Sequence, residues 1–144
     1  THQFVLIQSD VGASNNDSKA IEADGYEGTI GAFNLPRTSP RLWNFTIIGN
    51  LPSRTQNSAV HLRRGSGVRL YISIIAGYEI GVDFDDALTC DAAYGDGPVE
   101  IRHTTFIEVA NLGQNDSSDP LCGAAVSVSP TSTCSSPPPH SRTT

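Results

Sequence analysis

The chain has no methionine, one tryptophan and one lysine (Lys19), and aromatic residues make up only 7% of it. With hydrophobic residues at 38% of 144 positions, large apolar bulk is scarce, so the expected core is thin and elongated rather than globular. No apolar run approaches the roughly 20 residues that a helix needs to cross a bilayer, and no membrane span is expected. No charged and apolar leader pattern or initiator methionine stands at Thr1, which reads as a mature product or a piece of a longer one. Positive charge is also sparse. A formal net charge of −6 leaves out the basic footprint of non-specific nucleic-acid binding, so no nucleic-acid partner is expected. The three cysteines, Cys90, Cys122 and Cys134, lack the spacing and neighbouring histidines of a zinc site. In an oxidising compartment Cys90 and Cys122 are candidates for a disulfide flanking residues 99–109, although three cysteines allow three single pairings. Neither GxSxG, GxGxxG nor a Walker loop occurs.

What the chain does contain is repetition. Ala20-Ile21-Glu22-Ala23-Asp24, Ala59-Val60-His61-Leu62-Arg63 and Gly81-Val82-Asp83-Phe84-Asp85 share one pattern. A small residue opens each copy, and two apolar residues then alternate with polar ones. Successive side chains of a strand point to opposite faces, so each copy buries one row and wets the other. A second run interleaves with the first: Asn44 to Gly49, Tyr71 to Ala76, and His103 to Ile107 each join a hydroxyl residue to apolar ones. Tight two-residue Asn-Gly or Asp-Gly links do not join the matched runs, so hairpins are disfavoured. Equivalent strands stacking in parallel, one rung per repeat, predict an all-β parallel β-helix of about four coils.

In that stack Glu22, His61 and Asp83 form one outward row, and Asp24, Arg63 and Asp85 the next. Arg63 between acids has a plain structural reading, the neutralisation of like charges on neighbouring strands. The sharper reading is a shallow glycan groove, because carboxylates and a base on one face are the equipment of polysaccharide cleavage. Asp83, Asp85 and Asp86 could offer oxygens to Ca²⁺, yet Asp86 breaks the parity and the EF-hand order is missing. No other cofactor is implied. His61 has no Ser or Cys nucleophile placed by a motif beside it, so no triad is read. Trp43 and Tyr71 open strands of one type and offer either a sugar-stacking surface or packing at a coil corner.

The segments IEADG (21–25), NFTIIGN (44–50), AVHLRRGSG (59–67) and GVDFDDA (81–87) resemble secreted bacterial β-helix proteins of the pectate-lyase-like superfamily. More narrowly, they look like uncharacterised cell-surface or lipoprotein-type members. The resemblance covers about half the chain. It implies a right-handed coil and an extracellular or cell-surface location. It implies no reaction, since those members have no established one, and the catalytic signatures of pectate lyases and polygalacturonases are not found around the polar rows.

Along the chain, residues 2–8 read as a covered parallel strand, because Phe4 to Ile7 are continuously apolar. Residues 25–41 form an insertion closed by Pro36 and Pro40. Residues 1–126 make the solenoid, and residues 127–144, rich in Ser, Thr and Pro, make a tail or linker. Open solenoid ends and edges invite self-association. The expected role is an extracellular structural or surface-interaction solenoid, self-associating and glycan-binding. The alternative is a lyase or hydrolase of an acidic polysaccharide.

Overall fold

A computed structural model describes residues 2–9, 19–25, 37–50, 58–86, 89 and 99–115. The cysteines, the proposed disulfide, residues 127–144 and most of the insertion lie outside the described residues. Among the described residues ten strands appear in chain order: β1 His2–Gln8, β2 Lys19–Asp24, β3 Arg41–Ile48, β4 Ser58–Arg63, β5 Arg69–Tyr71, β6 Ile74–Ala76, β7 Ile80–Phe84, β8 Glu100–Arg102, β9 Thr105–Ile107 and β10 Asn111–Asn115. Every pairing among them is parallel. One sheet stacks β2, β4, β7 and β10; the other stacks β1 on β3, β3 on β5 and β6, and these on β8 and β9. Chain-consecutive strands therefore belong to different sheets while neighbours within a sheet come from successive repeats. That is a parallel β-helix.

Register follows the matched runs. Ile21, Val60, Val82 and Gly113 lie in one ladder, and Glu22, His61, Asp83 and Gln114 in the next. Inward rows carry the core: Val60, Leu62, Leu70, Ile47, Ile75 and Val82 are fully buried, each worth about 1.5–3 kcal/mol relative to exposure.

The second run contains a corner. Phe4, Asn44, Ile72 and His103 occupy equivalent positions on successive rungs, and all four have positive φ, between 51° and 58°. This left-handed residue bends the chain and splits the third and fourth rungs into β5/β6 and β8/β9. It also explains the hydroxyls. Ser73 accepts a hydrogen bond from the Phe45 amide at 3.2 Å and donates to the Tyr71 carbonyl at 2.9 Å, and Thr104 donates to the Arg102 carbonyl at 3.4 Å. Backbone groups disturbed by the bend thus regain partners. Consequently Ser73 stacks on Phe45, while Thr46 faces Ile74; aligning the runs by their hydroxyls misplaces the second copy by one residue.

The strand at residues 2–8 also departs from expectation. Only Val5 and Ile7 pack against the core, whereas Phe4 is 80% and Leu6 65% exposed. Its unbroken apolar run is an alternating strand whose outer row is apolar, not a strand covered on both faces. A second corner lies beyond β6, where Gly77 and Glu108 have positive φ and Gly49 packs against the Gly77 carbonyl.

Candidate functional site

The polar rows stand on the outer face of the β2–β4–β7 sheet, and the register brings their side chains together. Arg63 grips Asp24 with two parallel hydrogen bonds, both 2.8 Å, and reaches Glu22 at 3.0 Å. Arg64 adds a third contact to Asp24 at 2.7 Å. Two-pronged guanidinium–carboxylate pairing is among the stronger ionic contacts in proteins. It holds the Asp24 carboxyl below the usual carboxylate range, chiefly through the Arg63 hydrogen bond, and pushes Arg63 up in return, chiefly through its hydrogen bond to Asp24. Arg64 was not singled out by sequence reasoning; the doubled arginine of RRGSG is the signal that could have found it.

His61 sits at the centre. Its Nδ1 lies 3.8 Å from Glu22, and its Nε2 lies 3.8 Å from both Asp83 and Asp85. These separations exceed a hydrogen bond, and Nδ1 is buried without a hydrogen-bond partner among the described residues. Burial is the main cause that pulls the imidazole below its ordinary pKa; Lys19 and Arg63 act the same way, against Asp85 and Glu22. A neutral imidazole beside carboxylates can accept a proton.

Parity predicted His61 and Asp83 as wet side chains, and the structure corrects this. His61 is 6% exposed and Asp83 5%. Neighbouring rungs and the long flanking side chains of a close-packed ladder cover the middle of the face. Glu22 and Asp85, by contrast, keep 47% and 40% of their side chains exposed.

Asp86 stands apart from this cluster. One carboxylate oxygen accepts from the Arg64 amide at 2.5 Å, and the other accepts from the Thr89 amide and hydroxyl at 2.8 and 3.0 Å. The Thr89 hydroxyl in turn accepts from the Gly65 amide at 3.0 Å. Asp86 is thus the clasp of the turn at Arg64 and Gly65, both with positive φ. The expected grouping of Asp83, Asp85 and Asp86 around a cation is not assembled. Among the described residues no three His, Cys, Asp or Glu side chains are grouped to hold a metal ion. Next to the polar rows, Val5, Ile21, Ala23, Leu42 and Phe45 line a cavity of about 530 Å³ in the first rung, with Glu22 and Asp24 at its side.

The opposite sheet has a different outer face. Trp43 stacks on Tyr71 with ring centroids 5.1 Å apart and planes at 28°. Their faces are turned toward one another, so the pair packs at the coil rather than presenting an open platform to a sugar ring. Tyr71 donates a hydrogen bond to Glu100, which pushes the phenol up and holds Glu100 down; Arg102 lies 3.6 Å from the same carboxylate. Beyond the aromatic pair stand Phe4, Leu6, Ile48, Ile72 and Ile74, all exposed. For Phe4 and Leu6 the unbroken apolar run reads as covered on both faces, and their parity against Val5 and Ile7 is the signal that separates them.

Among the described residues no helix is long and apolar enough to cross a membrane. No curated protein and no solved structure matches the chain. A family model described as the pectate-lyase like beta helix domain matches residues 3–136. With a parallel coil, in-register ladders and that match over most of its length, the chain belongs to the pectate-lyase-like β-helix family.

Proposed function

We propose that this chain is a surface-interaction solenoid, a rigid coil that meets its partner with the outer face of the β1–β3–β6 sheet. The observation that carries this reading is the set of five large apolar side chains exposed together on that face. Large apolar side chains exposed in such number on one face, flanking Asn44 and Thr46, mark an interaction site. The face of β2, β4 and β7 supports the same conclusion from the other side. Its Asp24 carboxylate is engaged by Arg63 and Arg64, and Asp86, just beyond β7, by the turn at Arg64, as structural groups are. The setting that suits such a module is extracellular or at the cell surface.

A second reading rests on one specific contact. Neutral His61 beside Asp83 and Asp85 has the composition of a base for cleaving an acidic polysaccharide. The two readings separate in one experiment. The full chain and the double variant Asp83→Asn/Asp85→Asn are incubated with polyuronate, with and without Ca²⁺, while reducing ends and ultraviolet absorbance of unsaturated products are followed. Particle size is read by sedimentation velocity and electron microscopy. The surface-interaction reading expects no turnover by either protein. Turnover abolished in the double variant would replace it with the enzymatic one.

A further inference from the structure

We infer that the partner of the β1–β3–β6 face is an anionic lipid surface, on which the solenoid lies by one side; this rests on the surface-interaction reading above. Crossing the face from β5 toward β6, the outward rows change character in order. The first row carries Arg41 and Arg69 above Glu100, and the second Trp43 and Tyr71 above Arg102. Next come the corner row with Phe4, Asn44, Ile72 and His103, the row with Leu6, Thr46, Ile74 and Thr105, and the row with Gln8, Ile48, Ala76 and Ile107. A cationic edge, then aromatic rings with polar tips, then rows of large apolar side chains interspersed with small polar ones, is the order of environments met on entering a bilayer interface from water.

Charge decides between partners. The whole chain carries −6, yet this edge holds three of its eight arginines against one carboxylate, Glu100, which Tyr71 and Arg102 already engage. A second copy docked face to face has no surplus of acid on this face to offer those arginines. A neutral apolar protein groove leaves them without counter-charges as they lose water. A sheet of phosphate headgroups above hydrocarbon satisfies both halves together.

The corner adds an independent reason. Phe4 and Ile72 hold the left-handed conformation, which is unfavourable for a bulky or β-branched residue, while being 80% and 58% exposed. Asn44, in the same row, is a residue type that adopts this conformation readily. Large apolar groups at Phe4 and Ile72 thus strain the backbone and bury little within the coil. Outward contact is the gain available to them.

The test is co-sedimentation of the full chain with vesicles of phosphatidylcholine alone and of phosphatidylcholine mixed with phosphatidylserine, at low and high salt. Binding is expected to the mixed vesicles only and to weaken with salt. Arg69→Gln and Arg102→Gln should each lower partitioning about fivefold. Ile72→Asn, whose fold is checked by circular dichroism, should lower it without changing salt sensitivity. Equal, salt-insensitive binding to both vesicles would overturn the inference, as would unchanged binding by the arginine variants. If vesicles are not bound but the chain self-associates in a manner abolished by Ile72→Asn, the lipid partner is wrong and the interaction face stands. If neither occurs, both fall. Binding of soluble polyuronate in place of vesicles, with the same dependence on Arg69 and Arg102, would also overturn the lipid assignment.

Discussion

Replacing Ile72 by asparagine tests the corner that shapes this coil. Most surface substitutions of isoleucine by a polar residue in a sheet protein are neutral or harmful. Here the opposite sign is expected. Ile72 has φ of 51°, and a left-handed conformation costs an ordinary L-residue about 1–2 kcal/mol, a penalty that asparagine largely escapes. Against this stands lost burial. A fully buried methylene contributes about 0.8 kcal/mol, and because Ile72 is 58% exposed the contacts given up amount to less than about 1 kcal/mol. The net result for Ile72→Asn lies between no change and a gain of about 1 kcal/mol, a rise of up to about 3 °C in Tm for a chain of this size. Ile72→Ala loses the same contacts and keeps the strain, so its urea midpoint should fall below that of Ile72→Asn. Ile75→Asn, three residues on and fully buried, should cost about 3 kcal/mol or more. The reasoning is refuted if Ile72→Asn proves less stable than Ile72→Ala, or loses more than about 1 kcal/mol against the parent.

Two further measurements probe the packing and the charges. A β-carbon at Gly49 would lie 2.1 Å from the Gly77 carbonyl oxygen and 2.7 Å from the Tyr78 ring. Gly49→Ala should therefore cost about 3 kcal/mol by denaturant titration; a loss under about 1 kcal/mol would mean the second corner is not close-packed. The acid limb of stability should have two parts, because Asp24 and His61 both have lower pKa values folded than unfolded. The unfolded chain binds those protons more readily, so each contribution is complete above the unfolded pKa and is lost as pH falls through the folded one. The His61 part begins to fade below about pH 6.5 and the Asp24 part below about pH 4. His61→Gln should flatten the upper window and Asp24→Asn the lower, in urea midpoints measured from neutral pH downward. A parent whose stability rises as pH falls from about 6.5 contradicts the sign worked out for His61.

The ladder Ile21–Val60–Val82 was legible because strand periodicity is strict: a one-residue slip would turn every apolar side chain outward. The pairing of Glu22 with His61 and Asp83 followed from the same parity. Burial of His61 and Asp83 did not, because alternation tells which face a side chain takes and not what then covers that face. The corner was hidden for another reason. Asn44, Ile72 and His103 share a backbone conformation but no side-chain chemistry, and Ile72 gives no sign of it. Without that bend, Ser73 and Thr46 look equivalent, and the hydroxyls seem to set a register that the buried Ile47 and Ile75 actually set. Asp86 looked like a cation ligand beside Asp83 and Asp85, until the turn at Arg64 and Gly65 claimed both its oxygens.

From the amino-acid sequence alone came the parallel coil, its repeat and the membership of the rows on β2, β4 and β7, since these depend on periodicities of two along a strand and one rung along the chain. Tertiary structure alone decided which polar groups are buried, which acids are already paired and which apolar rows face outward. Those properties depend on what packs over a residue in space, and the covering groups come from neighbouring rungs roughly 20 to 40 residues away along the chain.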